Sequence, residues 1–246
     1  MTAADALYRS LQRLLRASTP VLGHGTSKLA RAVAGRGASS RGLVAWGNAH
    51  RDPARPAAWF HAPSVGEGLQ ARAVLDELLA RRPALQAVFT HFSPSAQGLA
   101  ARMPAAWAGY LPWDLPEEMG PALEAARPGV VAFTKTEVWP VLVAEAARRS
   151  VPVALVGGTV PPGARRARWP GRALLRPTWS RLALVCAITD ADAERFRELG
   201  VPPGVLRVTG APGMDSAASR AGSADPDAAY LHPFREEPRP TLVAGS

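Results

Sequence analysis

Residues 57–68 read AAWFHAPSVGEG, and this stretch decides how the rest of the chain is interpreted. The apolar residues 57–60 predict a short buried strand, and residues 64–68 predict a tight polar loop. From Leu69 to Arg82 the apolar side chains recur at near-helical spacing, which predicts a helix. A strand, a loop and a helix in this order form the basic unit of a parallel α/β sheet.

Glu67 is the only ionisable side chain of the predicted loop, and a glycine flanks it on each side. Because glycine has no Cβ atom, Gly66 and Gly68 would let a ligand come close to the carboxylate. Loops beyond the carboxyl ends of parallel strands are where open α/β sheets bind ligands. The alternative is that Glu67 only lies in the first helical turn, where its charge complements the helix dipole. The residues alone favour this alternative.

Further apolar runs, each followed by polar residues, indicate that the unit is repeated along the chain. The predicted strands cover residues 87–90, 108–111, 130–133, 153–156, 182–188 and 205–209. Strands that alternate with helices predict an α/β protein with a Rossmann-like, doubly wound parallel sheet. The predicted organisation is a basic amphipathic, membrane-associating helix region over 1–34, a connector over 35–56, the Rossmann-like domain over 57–210, a linker over 211–240, and the first strand of a truncated second domain over 241–246.

Polar side chains follow the predicted strands, and the carboxyl ends of parallel strands share one edge of a sheet. We therefore expect these side chains to converge into one binding site at that edge. The candidate residues are Ser64, Gly66, Glu67, Thr90, Ser93, Lys135, Glu137 and Thr159.

The formal net charge of +9 comes almost wholly from arginine, since Lys28 and Lys135 are the only lysines. No acidic residue occurs between Glu145 and Asp190, a stretch that includes Arg165 and Arg166 among its arginines. Such a patch suits the phosphates of a lipid or of membrane headgroups. A solvated helix face and a nucleic-acid patch are the alternatives. Because no recognised nucleic-acid motif accompanies the charge, we predict no nucleic-acid partner.

The first twenty residues predict a basic amphipathic helix. One side of the helical wheel carries Leu7, Tyr8, Leu11, Leu14 and Leu15, and the opposite side carries Arg9, Arg13 and Arg16. Such a helix either lies in the headgroup layer of an anionic membrane with its apolar side down, or packs on the main domain with its arginines in solvent.

Several function classes are disfavoured by what the sequence lacks. No run of eighteen apolar residues predicts a conventional transmembrane helix. The five histidines are scattered without ligand spacing, so we expect no metal. A single cysteine, Cys186, permits no disulfide within the chain and fits a reducing compartment. A nicotinamide-dependent oxidoreductase is a weak alternative, because no G-x-G-x-x-G follows a predicted strand.

Several segments carry a resemblance to a known family. Ser64-Val65-Gly66-Glu67, after a strand that ends in His61-Ala62, resembles the N-terminal signature of the 3-deoxy-D-manno-octulosonic acid (Kdo) transferases of lipopolysaccharide synthesis. Residues 110–116 (YLPWDLP) and 135–140 (KTEVWP) resemble further segments of that family, in the same order. Residues 7–29 are similar to its N-terminal anchor, which favours the membrane interpretation of the first helix.

The resemblance implies the N-terminal half of a two-domain, GT-B-type glycosyltransferase. This half would bind a lipid A precursor, and the C-terminal half would bind the donor CMP-Kdo, without a metal or other cofactor. Kdo would pass to an acceptor hydroxyl with inversion, and Glu67 would be the general base. The acceptor would be contacted by Ser64, Gly66, Thr90, Ser93, Lys135, Glu137, Arg165 and Arg166. The enzyme would lie peripherally on the cytoplasmic face of the inner membrane, against its anionic surface.

Two positions depart from the family pattern. Gly157-Gly158-Thr159 stands where Asn-Ala-Arg is common, and Gly213 stands where a lysine or arginine is usual. Both departures remove positive charge from the expected site. Without a donor domain, the chain alone should not transfer sugar. The alternative is a non-catalytic module that binds lipid or anionic glycan.

Overall fold

The computed structural model describes residues 3–19, 27–164, 171–235 and 240. The strands are β1 (Ala57–Ala62), β2 (Gln86–His91), β3 (Trp107–Tyr110), β4 (Val130–Thr134), β5 (Val153–Gly158), β6 (Leu184–Ala187) and β7 (Leu206–Val208). The helices are α1 (Ala3–Ala17), α2 (Lys28–His50), α3 (Val65–Arg81), α4 (Gln97–Ala100), α5 (Pro116–Ala126), α6 (Pro140–Arg148), α7 (Gly171–Trp179), α8 (Asp190–Leu199), α9 (Pro212–Gly222) and α10 (His232–Arg235).

These seven strands form one sheet in the order β3-β2-β1-β4-β5-β6-β7, and every neighbouring pair is parallel. This confirms the Rossmann-like α/β fold predicted from the sequence. The chain moves from β1 outward to β3 and then returns to the other side of β1 to form β4. The order therefore reverses between β1 and β4, and a crevice beyond their carboxyl ends is where this fold binds ligands.

Helices cover both faces of the sheet, which is why its strands appear as unbroken apolar runs in the sequence. Trp59 packs on the face covered by α2, α5, α6 and α8, while its neighbour Phe60 packs on the face covered by α3 and α4. Both side chains are essentially inaccessible to solvent. The helix after β1 begins at Val65, earlier than predicted, so Glu67 lies in its first turn.

The connector predicted over residues 35–56 is wrong for most of its length, because α2 extends to His50. Two glycines of this segment serve helix packing. A Cβ atom on Gly47 would lie 2.6 Å from the backbone carbon of Ala125 in α5. A Cβ atom on Gly35 would lie 2.5 Å from the ring of Tyr110. Glycine is needed here because the helix lies against its neighbours at backbone distance.

The predicted linker over residues 211–240 also contains ordered structure. Its first part forms α9, which lies against α3, and α10 follows at His232–Arg235. The strand predicted over 241–246 lies outside the described residues. Within the described ranges, no helix is both long enough and apolar enough to cross a bilayer.

Candidate functional site

Glu67 and Lys135 meet at the point where the strand order reverses. Glu67 follows β1, Lys135 follows β4, and these two strands are neighbours in the sheet. Lys135 Nζ donates to Glu67 Oε1 at 2.8 Å, and the hydroxyl of Ser64 donates to the other carboxylate oxygen. The Glu67 side chain is 12% exposed and that of Lys135 is 46% exposed. Glu67 and Lys135 therefore converge as expected, but they also form an ion pair that the sequence did not predict.

The pair sets the protonation of Glu67. Partial burial raises the pKa of this carboxyl, but the hydrogen bonds from Lys135 and Ser64 and the lysine charge lower it by more. The net pKa lies below the ordinary value for glutamate, so Glu67 is ionised at neutral pH. In this arrangement the carboxylate can accept a proton, although Lys135 weakens its basicity.

Lys135 owes its position to an unusual backbone conformation. Its φ is +65°, in the left-handed region that residues with a side chain seldom occupy. Its amide nitrogen nevertheless donates to the carbonyl oxygen of Val156 in β5 at 3.0 Å. Strain of this kind persists where the surrounding structure fixes the chain, and it is concentrated at functional sites.

The other predicted residues have different surroundings. Thr90 is fully buried in β2, and its hydroxyl accepts a hydrogen bond from Trp59 Nε1 at 2.9 Å. It therefore cannot contact an acceptor, and its assignment to the site is wrong. Ser93 caps a short 3₁₀ helix, and its amide donates to Pro63, so the loops after β1 and β2 touch. Apart from its chain neighbours and the backbone of its own helix, no described atom lies within 4 Å of a Cβ built on Gly66, so the space beside this glycine is open.

Glu137 lies beside the pair but points toward His61. Its carboxylate is 4.0 Å from His61 Nε2, and its side chain is 36% exposed. The hydroxyl of Thr159, after β5, donates instead to Asp192 Oδ1 at 2.9 Å, so this side chain is hydrogen-bonded to the first turn of α8. Arg165 and Arg166 lie outside the described residues.

His61 supports the structure of the site, although the sequence did not identify it as a site residue. Trp139 Nε1 donates to His61 Nε2 at 3.1 Å, and the Nδ1 atom of His61 lies 3.1 Å from the Thr90 hydroxyl. Complete burial lowers the pKa of His61, so the ring is neutral with its proton on Nδ1. The buried imidazole thereby holds the end of the loop that carries Lys135 and Glu137.

Arg36 is a second residue that the sequence did not identify, because it lies in the segment interpreted as a connector. Its guanidinium donates to the carbonyl oxygens of Leu111 at 3.1 Å and Pro112 at 2.9 Å. It also lies over the rings of Trp113 and Trp139, at 4.4 and 5.1 Å from their centroids. Burial lowers the pKa of Arg36 to about 10, so this cation keeps its charge at neutral pH.

Helix α1 packs through its polar side. Arg13 pairs with Glu117 at 3.1 Å, and Arg16 pairs with Glu118 at 3.1 Å, both at the start of α5. The phenol of Tyr8 donates to Asp114 at 2.8 Å. The leucines are turned outward, with exposed fractions of 72% at Leu7, 53% at Leu11, 68% at Leu14 and 39% at Leu15. The helix therefore keeps these leucines away from the domain, while its paired arginines remain about half exposed.

Within the described ranges, no three His, Cys, Asp or Glu side chains are grouped as a metal site requires. That the protein works without a metal stays a prediction.

Comparison with known proteins identifies relatives of this chain. Residues 37–215 match the sequence model of a family described as 3-deoxy-D-manno-octulosonic-acid transferase (kdotransferase). A 3-deoxy-D-manno-octulosonic acid transferase of Haemophilus influenzae is 30% identical over 67% of this chain and 39% of its own length. One of Bordetella pertussis is 33% identical over 70% of this chain and 41% of its own length. The chain thus spans about two fifths of the length of these relatives.

Solved structures share the fold at low sequence identity. A UDP-GlcNAc 2-epimerase from Neisseria meningitidis, bound to UDP-GlcNAc, aligns with a TM-score of 0.54 and 15% identity, over 73% of this chain and 53% of that chain. The UDP-GlcNAc 2-epimerase of Methanocaldococcus jannaschii gives 0.54 and 12% identity, over 73% and 52% of the two chains.

Proposed function

Because the chain belongs to the 3-deoxy-D-manno-octulosonic-acid transferase family, we propose that it forms the acceptor-binding half of an enzyme that transfers Kdo from CMP-Kdo to a lipid A precursor. The observation that carries this proposal is the position of Glu67, which follows β1 in the first turn of α3, at the reversal of strand order. The family match spans this site, because it covers residues 37–215.

In the proposed reaction, a hydroxyl oxygen of the acceptor attacks the anomeric carbon of Kdo from the side opposite to CMP. The bond from that carbon to the phosphate oxygen breaks, and CMP leaves with the electron pair. Glu67 takes the proton of the attacking hydroxyl. Because the hydroxyl attacks opposite to the leaving CMP, the new glycosidic bond forms with inversion. General-base assistance of this kind usually contributes a factor of about 10²–10⁴ in rate.

Lys135 has a second role in this proposal. It keeps Glu67 ionised in the free protein, but it also makes the carboxylate a weaker base. An anionic group of the bound acceptor or donor would attract the exposed lysine ammonium away from Glu67. The carboxylate would then keep its partial burial without its cation, and its pKa would rise toward a value suited to proton transfer.

Removing the lysine charge should raise the pKa of Glu67. In Lys135→Met the desolvation of the carboxyl remains, while its strongest opposing contact is lost. A ¹³C NMR titration of the Glu67 carboxyl in this chain measures the change directly. Lys135→Arg is the matched control, because it retains a cation and should keep the pKa below the ordinary value. A pKa in Lys135→Met equal to or below that of the natural protein would contradict the assigned role of Lys135.

The exposed leucines of α1 support a proposal of peripheral membrane association on the cytoplasmic face. Helix α1 pairs with the start of α5 and is linked to the start of α6 through Asp114, and both starts lie at the carboxyl edge of the sheet together with Glu67. A contiguous apolar surface of this kind marks a membrane or protein contact, and apolar helix sides insert into the boundary between headgroups and acyl chains. A lipid acceptor in that membrane would face the edge that carries Glu67.

Replacing Leu7, Leu11 and Leu14 together by serine should weaken binding to phosphatidylglycerol vesicles about 10³-fold or more, because each leucine buried in the membrane contributes about 1.5–3 kcal/mol. Co-sedimentation with the vesicles measures the affinity. Leu184→Ser is the control, since Leu184 is also exposed but begins β6, at the opposite edge of the sheet. Equal vesicle binding by the triple variant and the natural protein would exclude α1 as the contact.

A second candidate is a module that binds a lipid or an anionic glycan without catalysis. The pairing of Glu67 with Lys135 favours it, because a committed carboxylate is a poor base. The two candidates are separated by assaying transfer of radiolabelled Kdo from CMP-Kdo to a lipid A precursor, with this half joined to a donor-binding half. Transfer supports the enzyme. Acceptor binding without any transfer supports the module.

A further inference from the structure

A cavity of about 530 Å³ lies between α1, α6 and α7, on the face of the sheet opposite to α3. Its wall is apolar along α6, through Pro140, Val141 and Ala144, and along α7, through Leu174 and Leu175. The volume falls within the range of about 300–1,000 Å³ typical of sites for small molecules. No hydrogen bond or ion pair among the described residues joins this wall to Glu67.

The charged groups that line the cavity are all cationic. Arg9 lies on α1, Arg148 ends α6, and Arg181 follows α7. Arg148 is partly neutralised by Glu145, whereas no ion pair to Arg181 is found in the described part of the chain. Arg148 lies eight residues beyond Pro140, about 12 Å along the helix. An apolar wall therefore separates Arg9, on α1, from Arg148 and Arg181 at the far ends of α6 and α7.

The cavity is continuous with the surface that we assign to the membrane. Tyr8 and Arg9 of α1 line it, and the neighbouring Leu7 is among the most exposed leucines of that helix. Leu174 of α7 lines the cavity and is itself 48% exposed. A ligand complementary to this cavity has an apolar chain that contacts the wall and an anionic group that pairs with the arginines. An anionic lipid has both.

We propose that the cavity binds one anionic phospholipid of the bilayer, with an acyl chain along Ala144 and Leu175 and the phosphate at Arg181. The acceptor is a less suitable occupant, because its reacting hydroxyl must reach Glu67, whereas the cationic end of the cavity lies at the far ends of α6 and α7, about 12 Å along α6 from its start. The bound lipid would fix α1 against α6 and α7. This site does not depend on sugar transfer, so the site and the proposed reaction can fail separately.

Isothermal titration of this chain with myristoyl lysophosphatidylglycerol, below its micelle concentration, tests the site. The expected result is saturable binding of one lipid per chain. Ala144→Trp fills the cavity and should weaken binding at least about tenfold, whereas Ala147→Trp, on the exposed side of the same helix, should leave it unchanged. If Ala144→Trp lowers the melting temperature, Leu174→Gln replaces it, because that side chain is half exposed and can be changed without disturbing the core.

The charge of the ligand is tested separately. Arg181→Gln should weaken binding about tenfold, as expected for loss of a charge-assisted hydrogen bond, while Arg172→Gln, exposed on α7 outside the cavity, should have little effect. Non-saturable uptake, or equal affinity of Ala144→Trp and the natural protein, would overturn the proposal. Binding of a lipid A precursor but not of lysophosphatidylglycerol would also overturn it and assign the cavity to the acceptor.

Discussion

Replacing Glu67 by Gln should slow Kdo transfer by a factor of about 10²–10⁴ when this half is joined to a donor-binding half. The amide has the size of the carboxylate but cannot take the proton of the attacking hydroxyl. The fold should survive, because the lost partner, Lys135, is about half exposed and such pairs contribute little to stability. Single-turnover transfer of radiolabelled Kdo measures the chemical step, and a binding assay with the lipid acceptor should give an affinity close to that of the natural protein.

Glu77→Gln is the matched control for this substitution. Glu77 lies on the same helix, and it is exposed and paired with Arg81 at 2.6 Å. Its loss removes the same charge from α3 without touching the site, so transfer should be unchanged. Natural rates in Glu67→Gln would exclude Glu67 as the base. If Glu137→Gln then abolished transfer, the base would be the carboxylate beside His61.

The sheet could be predicted from the sequence because its strands are buried on both faces and therefore form unbroken apolar runs. The same reasoning predicts that Glu67 and Lys135 lie at one edge of the sheet, because each residue follows a strand and the strands are parallel. It could not predict the ion pair, which depends on β1 and β4 being neighbours. His61 pairs in register with Phe133, so the residues after both strands emerge side by side.

Other features depend on contacts between residues far apart in sequence, which local patterns do not contain. The glycines of α2 signalled a connector because glycine weakens an isolated helix, yet Gly47 is needed for contact with Ala125 in α5. The orientation of α1 depends on Glu117 and Glu118, whose carboxylates form ion pairs with Arg13 and Arg16 of this helix. The amphipathic pattern showed that the helix has two sides but not which side the domain covers.

Replacing Asp114 by Ala should lower the free energy of unfolding by about 3–5 kcal/mol, as loss of one partner from a buried charged network does. Asp114 is fully buried, and it accepts hydrogen bonds from the amides of Val141 at 2.9 Å and Leu142 at 2.8 Å. These amides are in the first turn of α6 and have no partner within the helix. Burial raises the pKa of Asp114, while these amides, Tyr8 and the charge of Arg36 oppose that rise.

Urea unfolding followed by circular dichroism measures the loss, and two further variants divide it among the contacts. Tyr8→Phe removes only the phenol donor and should cost about 0.5–1.5 kcal/mol. Asp114→Asn retains an oxygen for one amide but presents its NH₂ group to the other, so its cost should lie between those of Tyr8→Phe and Asp114→Ala. A smaller loss in Asp114→Ala than in Tyr8→Phe would contradict the assigned role of this carboxylate.

The same carboxylate links helix α1 to the candidate site. Tyr8 of α1 donates a hydrogen bond to Asp114. The backbone amides that also donate to Asp114 lie at the start of α6, just after Trp139. Trp139 in turn donates to His61 and ends the loop that holds Lys135 against Glu67. In Asp114→Ala we therefore expect two changes to occur together. Helix α1 becomes more sensitive to protease, and the affinity for the acceptor falls. Intact acceptor affinity in a variant whose α1 is cleaved would show that the two parts of the protein are independent.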